Sequence, residues 1–351
     1  MRIMYKPNAA CIYLNRNCPR NCSYCAVKDL KKDDIKLSPD SWIECFEILR
    51  HLGVDFFLIL GAEPLLLEQN LIKLVEYWSR EDIEYGFYST APRILFMRRA
   101  PSLIQAGLRN WSCGIDFVPE VYNARQYTLS PTCKRLVEGQ KESLVAKAKD
   151  SFFALKYMQG KVPELHAMPT ISRMNIEFMP EMIMWLVDNF DKSLHMALNF
   201  VERSKDPSMD FAIKKESRFF FTEEDRPLLE NFAARMDYLP DIYKERVQTS
   251  FDYLNNIDHI INLDWHCDIN SMAISIDCDG SIRQCGYKNL NSTQKYYYWD
   301  LADKLEEVFA AIEESHSACS GCYWSYPYAL GKYGNAIVNY RSELWKERDK
   351  L

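Results

Sequence analysis

Near the start of the chain, Cys18-Pro-Arg-Asn-Cys22-Ser-Tyr-Cys25 sets three cysteines in a CxxxCxxC spacing. Thiolates are soft ligands that suit iron–sulfur clusters, which ordinarily take four. Three from one loop leave one iron of a four-iron cluster open, as a cluster must be if it is to bind a small molecule directly. A structural zinc site wants a closed tetrahedral shell of four, which this loop alone does not offer. A second set lies far along the chain: Cys267, Cys285 and the pair Cys319-Ser-Gly-Cys322. Between its first two members, Asp279-Gly280 is a strong hairpin signal. Four thiolates fill the shell of a cluster or of zinc equally well. Cys278 sits in the turn and is read as a spare.

These residues need a scaffold, and the chain is large enough to build one. It has 351 residues, 48% of them hydrophobic and 13% aromatic, with a formal charge of −6. The acidic balance disfavours a nucleic-acid partner, which calls for a basic field. The longest apolar run, 56–60, is too short to span a bilayer, and 1–7 lacks a signal-peptide pattern. The expectation is a cytoplasmic protein without membrane contact. Its twelve cysteines then hold metal or do redox work in place of forming disulfides.

The elements that would position the first loop alternate. A short strand over 11–15 runs into it. Ser38 caps a helix over 39–52, and a buried-type strand over 56–60 ends at Gly61. Helices are expected over 68–79, 101–106, 140–159 and 177–189, and strands over 85–88, 110–117, 165–171 and 194–200. Six strand–helix alternations argue for a parallel α/β sheet or barrel, whose functional residues gather at the C-terminal ends of the strands. The stretch 204–264 is polar and helical in pattern. Strands over 273–277 and 281–285 flank the hairpin turn, and a helix over 301–315 brings the chain back to Cys319.

The cysteine loop resembles the signature of the radical S-adenosylmethionine (SAM) superfamily. Gly61-Ala62-Glu63-Pro64 resembles that family's GGEP motif, with Ala62 in place of the second glycine. The resemblance implies a partial (β/α)6 TIM-type barrel over 1–203, with a SAM-binding 4Fe–4S cluster on Cys18, Cys22 and Cys25. It further implies that Tyr24 packs near the adenine and that Gly61, Ala62, Glu63 and Pro64 hold the amino group of SAM. Ser89 and Thr90 end the third strand, where relatives carry polar contacts. In the fourth, Ser112, Gly114 and Asp116 share one face and Cys113 takes the other. Gly114 and Asp116 match a Ser-x-Asp of the family, so the usual serine is missing. Asp116 reads equally as a polar contact or as a satisfied structural carboxylate. Thr170, Ser172 and Asn175 follow the fifth strand, and Asn175 also suits a helix cap.

Twelve residues separate Cys267 from Gly280, and four more separate Gly280 from Cys285. With Cys319 and Cys322 this resembles the SPASM and twitch extensions of the same superfamily. It implies a helical connection over 204–264 and a small α+β twitch-like domain over 265–351, with a second, auxiliary 4Fe–4S cluster on Cys267, Cys285, Cys319 and Cys322. The aromatic run 323–328 and the stretch to Leu351 either roof the barrel mouth or fill core. The implied activity is reductive cleavage of SAM to a 5′-deoxyadenosyl radical that abstracts hydrogen from substrate. An external flavodoxin- or ferredoxin-type donor would supply the electron. The first expectation is a small-molecule oxidoreductase that passes an electron to the auxiliary cluster, with Arg173, His166 and Asp116 as candidates for deprotonation. A peptide maturase is the alternative, although the seventeen residues before Cys18 leave no room for a leader-recognition domain. A radical epimerase, with Cys113 or Cys133 as hydrogen donor, is the other.

Overall fold

The computed structural model describes residues 5, 7–25, 37–201, 218–269, 273–285 and 288–323. The expectations for 204–217, for the aromatic run beyond Tyr323 and for the stretch to Leu351 lie outside the described residues.

The chain opens with β1 (Ala9–Tyr13), α1 (Pro39–His51), β2 (Phe56–Leu60), α2 (Gln69–Arg80), β3 (Glu84–Phe87), α3 (Arg93–Gln105) and β4 (Asn110–Cys113). Helices α4 (Pro119–Arg125), α5 (Pro131–Glu138) and α6 (Lys141–Met158) follow. Next come β5 (Glu164–Ala167), β6 (Thr170–Ile171), α7 (Met179–Asn189), β7 (Leu194–Met196) and β8 (Asn199–Phe200). Local rules account for several of these. Ser38 accepts the Ser41 N–H at 3.1 Å to cap α1, with Pro39 at its first turn. In α2, Leu71, Leu74, Val75 and Trp78 are buried at helical spacing. Pro169, which has no N–H, divides the fifth expected strand into β5 and β6.

β1 pairs in parallel with β2, and β2 with β3. β4, β5 and β7 form a second parallel run, continued by the β6–β8 pair. The two runs meet at β3 and β4: Tyr88 bridges Ser112, the Ser89 N–H donates to the Ser112 carbonyl at 2.9 Å, and the Asn110 Oδ1 accepts the Phe87 N–H at 2.7 Å. Six parallel positions in chain order are what the sequence led one to expect.

Each strand has an outer face toward the helices. Phe57 meets Phe46 of α1 at 4.7 Å, and Trp111 meets Phe96 of α3 at 5.1 Å. Ala9, Cys11, Tyr13 and Phe56 alternate to the opposite, inward face and form a separate apolar cluster there.

Beyond residue 218 lie α8 (Arg226–Asp237), α9 (Asp241–Lys244), α10 (Phe251–Asn255) and α11 (Ile257–Asn262). Then come β9 (Ile274–Ile276), β10 (Ile282–Arg283), α12 (Asp300–Asp303) and α13 (Leu305–Ser317). β9 and β10 form the expected hairpin, with Gly280 at φ +84°. Its placement was not anticipated. β9 pairs in parallel with β1, Ala10 opposite Ile274 and Ile12 opposite Ile276, which gives a five-stranded sheet in the order β10-β9-β1-β2-β3.

Candidate active site

The CxxxCxxC loop leaves the C-terminal end of β1 and is stitched to the turn after β2. Asn15, fully buried, donates through Nδ2 to the Glu63 carbonyl at 2.8 Å, and its own carbonyl accepts the Ala62 N–H at 3.0 Å. Gly61 lies at φ +125°, where a Cβ would stand 2.9 Å from the Asn15 carbonyl oxygen, so this position calls for glycine. Ala62 has no such positive φ, which explains why alanine replaces the motif's second glycine.

Glu63 is completely buried and caps the short 3-10 turn Pro64–Leu67. Its Oε1 accepts the Ser89 hydroxyl at 2.7 Å and the Leu65 N–H at 3.1 Å, and Oε2 accepts the Thr90 N–H at 3.1 Å. Burial pushes its carboxyl up to about 7, against the opposing pull of those bonds. Ser89 and Thr90, expected as polar contacts of the site, hold Glu63. A carboxylate accepts about four hydrogen bonds, so one acceptor position remains for a cationic donor.

Cys18, Cys22 and Cys25 are all half-buried thiols. The Cys25 N–H donates to the Cys22 carbonyl at 3.2 Å and the Arg20 N–H points at the Cys18 sulfur at 3.4 Å. Burial raises the Cys18 thiol, with the nearby Glu63 and Cys22 charges adding to it. Arg20 latches the loop: it donates to the carbonyls of Thr90 (2.9 Å) and Ala91 (3.1 Å) and pairs with Asp150 of α6 at 2.7 Å. Among the described residues, no three His, Cys, Asp or Glu side chains are gathered as a site for a metal ion. The donor set of the loop, three accessible thiols beside a buried carboxylate with a vacant acceptor, fits a three-coordinated cluster and a bound amino acid group.

The Tyr24 hydroxyl donates to Asp116, which also pairs with the Lys147 ammonium of α6. Lys147 stands 2.9 Å from the Tyr24 hydroxyl and is itself buried. The Asp116 Oδ1 accepts the Thr170 N–H at 2.7 Å. Asp116 is thus a fully engaged carboxylate that ties four segments together. Gly114 leaves the space for this: a Cβ there would stand 2.6 Å from the Tyr88 hydroxyl and 3.2 Å from the Lys147 Nζ. Lys147, Arg20, Asn15 and Asp150 were not singled out from sequence. The signals in hindsight are a lysine and a serine, 147 and 151, four apart on a face of α6 that is otherwise buried.

The other candidates divide. Asn175 stands at the N-cap of the 3-10 turn Ile176–Phe178 without a side-chain cap bond; its Nδ2 donates to the carbonyls of Asp116 (3.0 Å) and Thr170 (2.9 Å) while its Oδ1 accepts the Ser172 N–H. His166 is in register with Ser112 and His195 one layer deeper, with its Nδ1 3.4 Å from the Ser112 hydroxyl. Arg173 pairs with Asp225 at 3.0 Å. Cys113 faces α6, toward the Ser151 carbonyl, and Cys133 donates to the Met174 carbonyl at 3.1 Å, so neither joins the Glu63–Asp116 group.

In the second cysteine set, Cys285 and Cys319 lie within electrostatic reach of Cys267. Burial lifts the Cys267 thiol to about 12, with the charges of Cys285 and Cys319 adding to the effect. Cys322 donates its N–H to Trp265 at 3.1 Å, and His316 of α13 reaches the Cys267 carbonyl at 2.8 Å. All four thiols are half-buried, whereas Cys278 is buried on the hairpin turn. As a donor set, four thiols suit a closed shell.

Residues 12–139 match the sequence model of the Radical SAM superfamily. A GTP 3′,8-cyclase of Staphylococcus epidermidis is 32% identical over 116 residues, 31% of this chain and 34% of that protein. An uncharacterised protein of Archaeoglobus fulgidus is 27% identical over 93 residues, 26% of this chain and 22% of that protein. The chain thus spans about a third or less of the curated relatives it matches. Among solved structures, Streptococcus suis SuiB bound to S-adenosylmethionine superposes with a TM-score of 0.58 at 14% identity, covering 88% of this chain and 66% of that one. The enzyme anSMEcpe with bound AdoMet and a peptide gives 0.56 at 13% identity, covering 88% and 82%. At these identities the two structures speak for the fold. The likeness to the Radical SAM superfamily thus covers residues 12–139, and the likeness in fold extends over most of the chain.

Proposed function

We propose that this protein is a radical SAM enzyme with two iron–sulfur clusters that oxidises its substrate. The observation that carries the reading is the stitching of the three-thiol loop to Gly61–Pro64 through Asn15, beside a buried Glu63 with one acceptor position to spare. Cys18, Cys22 and Cys25 hold the first cluster. Cys267, Cys285, Cys319 and Cys322 hold the second. When bound, the first would supply the electron that splits SAM to methionine and a 5′-deoxyadenosyl radical, and the second would accept the electron a substrate radical gives up.

The chain's own residues do the rest. Glu63, kept in place by Ser89 and Thr90, receives the SAM ammonium and is held ionised by it. Gly61, Ala62 and Pro64 shape the turn that presents Glu63. Arg20 fixes the cysteine loop against Thr90, Ala91 and α6. Tyr24, Asp116, Lys147 and Thr170 close the inner wall beneath the loop and exclude water from it, which a reactive carbon radical requires.

The substrate is a small molecule in the first reading. A peptide is the second, favoured by the likeness in fold to SuiB, also solved with its precursor peptide, and to the peptide-bound anSMEcpe. An external one-electron donor of flavodoxin or ferredoxin type completes the system. The test is iron and sulfide per chain after anaerobic reconstitution, with 5′-deoxyadenosine followed on adding SAM and dithionite. About eight irons with deoxyadenosine formation is the expected result. About four irons and one zinc would remove the electron-accepting role of the second set, and no deoxyadenosine would overturn the reading.

A further inference from the structure

The two cysteine sets are joined by one buried carboxylate. Asp277 ends β9. Its Oδ1 accepts the Arg16 Nε at 2.9 Å and its Oδ2 accepts an Arg283 guanidinium N–H at 3.0 Å. Arg16 stands two residues before Cys18, and Arg283 two residues before Cys285. Asp277 and Arg283 are almost wholly shielded from solvent, and the Cys278 N–H adds a third bond to Oδ1 at 2.8 Å.

The same turn also touches the chain downstream of the first loop. The Leu37 N–H donates to the Cys278 carbonyl at 3.2 Å, and a Cβ on Gly280 would lie 3.3 Å from the Leu37 side chain. The hairpin tip therefore clasps the chain on both sides of the CxxxCxxC loop, at Arg16 before it and at Leu37 after it. The far strand of that hairpin leads directly to Cys285.

We propose that Asp277 is a positioning residue, the joint through which metal held by Cys267, Cys285, Cys319 and Cys322 fixes the CxxxCxxC loop. The proposal rests on the reading of both cysteine sets given above. Metal at the C-terminal set restrains Cys285 and hence β10. Arg283 passes that restraint to Asp277, and Asp277 passes it to Arg16 and the loop. The second set then has a mechanical duty besides the electronic one, and occupancy at one site raises order at the other by reciprocal coupling.

The test uses the full chain reconstituted with iron and sulfide and follows amide hydrogen exchange over 14–25. Exchange there should quicken about tenfold in Cys319→Ala/Cys322→Ala, as local opening becomes easier. Arg16→Gln should quicken it as much and alter the paramagnetic resonance spectrum of the reduced first cluster, although every cysteine is retained. The two changes together should add nothing further, because they cut one connection. Arg16→Lys, which keeps the charge, should restore part of the protection. Additive effects, or unchanged exchange in the cysteine variant, would overturn the proposal. If that variant fails to fold, Arg16→Gln decides alone: full iron with wild-type exchange and spectrum overturns it. No iron on Cys18, Cys22 and Cys25 of the wild type overturns both this proposal and the functional reading. Two loaded clusters that ignore each other overturn only this one.

Discussion

Arg20 and Asp150 meet at 2.7 Å across 130 residues of sequence, joining the middle of the cysteine loop to α6. Both side chains are mostly shielded from solvent, and the same guanidinium also bonds the Thr90 and Ala91 carbonyls. The planar fork is what makes three acceptors reachable from one side chain. Arg20→Lys keeps the charge and loses the fork. It should cost about 1–3 kcal/mol in urea unfolding and lower the iron retained after gel filtration. Equal iron retention in Arg20→Lys and wild type would remove Arg20 from the latch.

Glu63 gives a pH dependence of definite sign. Its carboxyl titrates near 7 in the folded protein, because burial opposes ionisation, against an ordinary value of 4.5. A raised folded value means stability that is complete below the unfolded value and lost as pH climbs through 7. The metal-free protein should therefore lose on the order of 3 kcal/mol between about pH 4.5 and 7 through this group. In Glu63→Gln that part of the slope in a series of urea melts should vanish, and SAM affinity measured by calorimetry should fall. A slope identical to wild type would contradict the assignment.

Gly61 and Ala62 should respond oppositely. Gly61→Ala places a Cβ against the Asn15 carbonyl at positive φ and should destabilise by more than about 1 kcal/mol, with loss of cluster incorporation. Ala62→Gly restores the family's usual dipeptide and should leave iron content and SAM cleavage at wild-type levels. Similar melting temperatures for the two variants would show that the Asn15 contact does not matter.

Lys147 and Asp116 should behave as a unit. The pair is buried, with side-chain exposures of 11% and 1%. Lys147→Met strands the Asp116 charge and should cost about 3–5 kcal/mol. Adding Asp116→Asn should recover much of that, as read in a double-mutant cycle by denaturant melts. Additivity of the two changes would mean that the ions do not depend on each other.

What the sequence made readable was local. The cysteine spacing, the Gly61–Pro64 turn and the strand over 56–60 are written in contiguous residues, and β2 occupies that very range. Helix α5 was missed although Ser130-Pro131 is an ordinary start signal, and Ser130 does accept the Cys133 N–H. Helix α3, expected over 101–106, begins at Arg93 and carries Pro101 inside. The partners of Asp116, Arg20 and Asp277 could not be read at all. They lie on separate elements brought alongside by packing: Lys147 and Asp150 on α6, Arg16 after β1 and Arg283 on β10. Periodicity reports which face of an element is buried, but not which side chain of another element its buried polar groups will meet.

The pairing of β1 with β9 also bears on how the molecule is made. Ile12 finds its partner Ile276 only after 264 further residues have been synthesised, at about 5–20 residues per second. For tens of seconds on the ribosome the outer edge of Ala-Ala-Cys-Ile-Tyr has no neighbour. A bare apolar strand is a template for pairing with other chains. The hairpin that seals it is therefore also the last guard against aggregation of the nascent barrel.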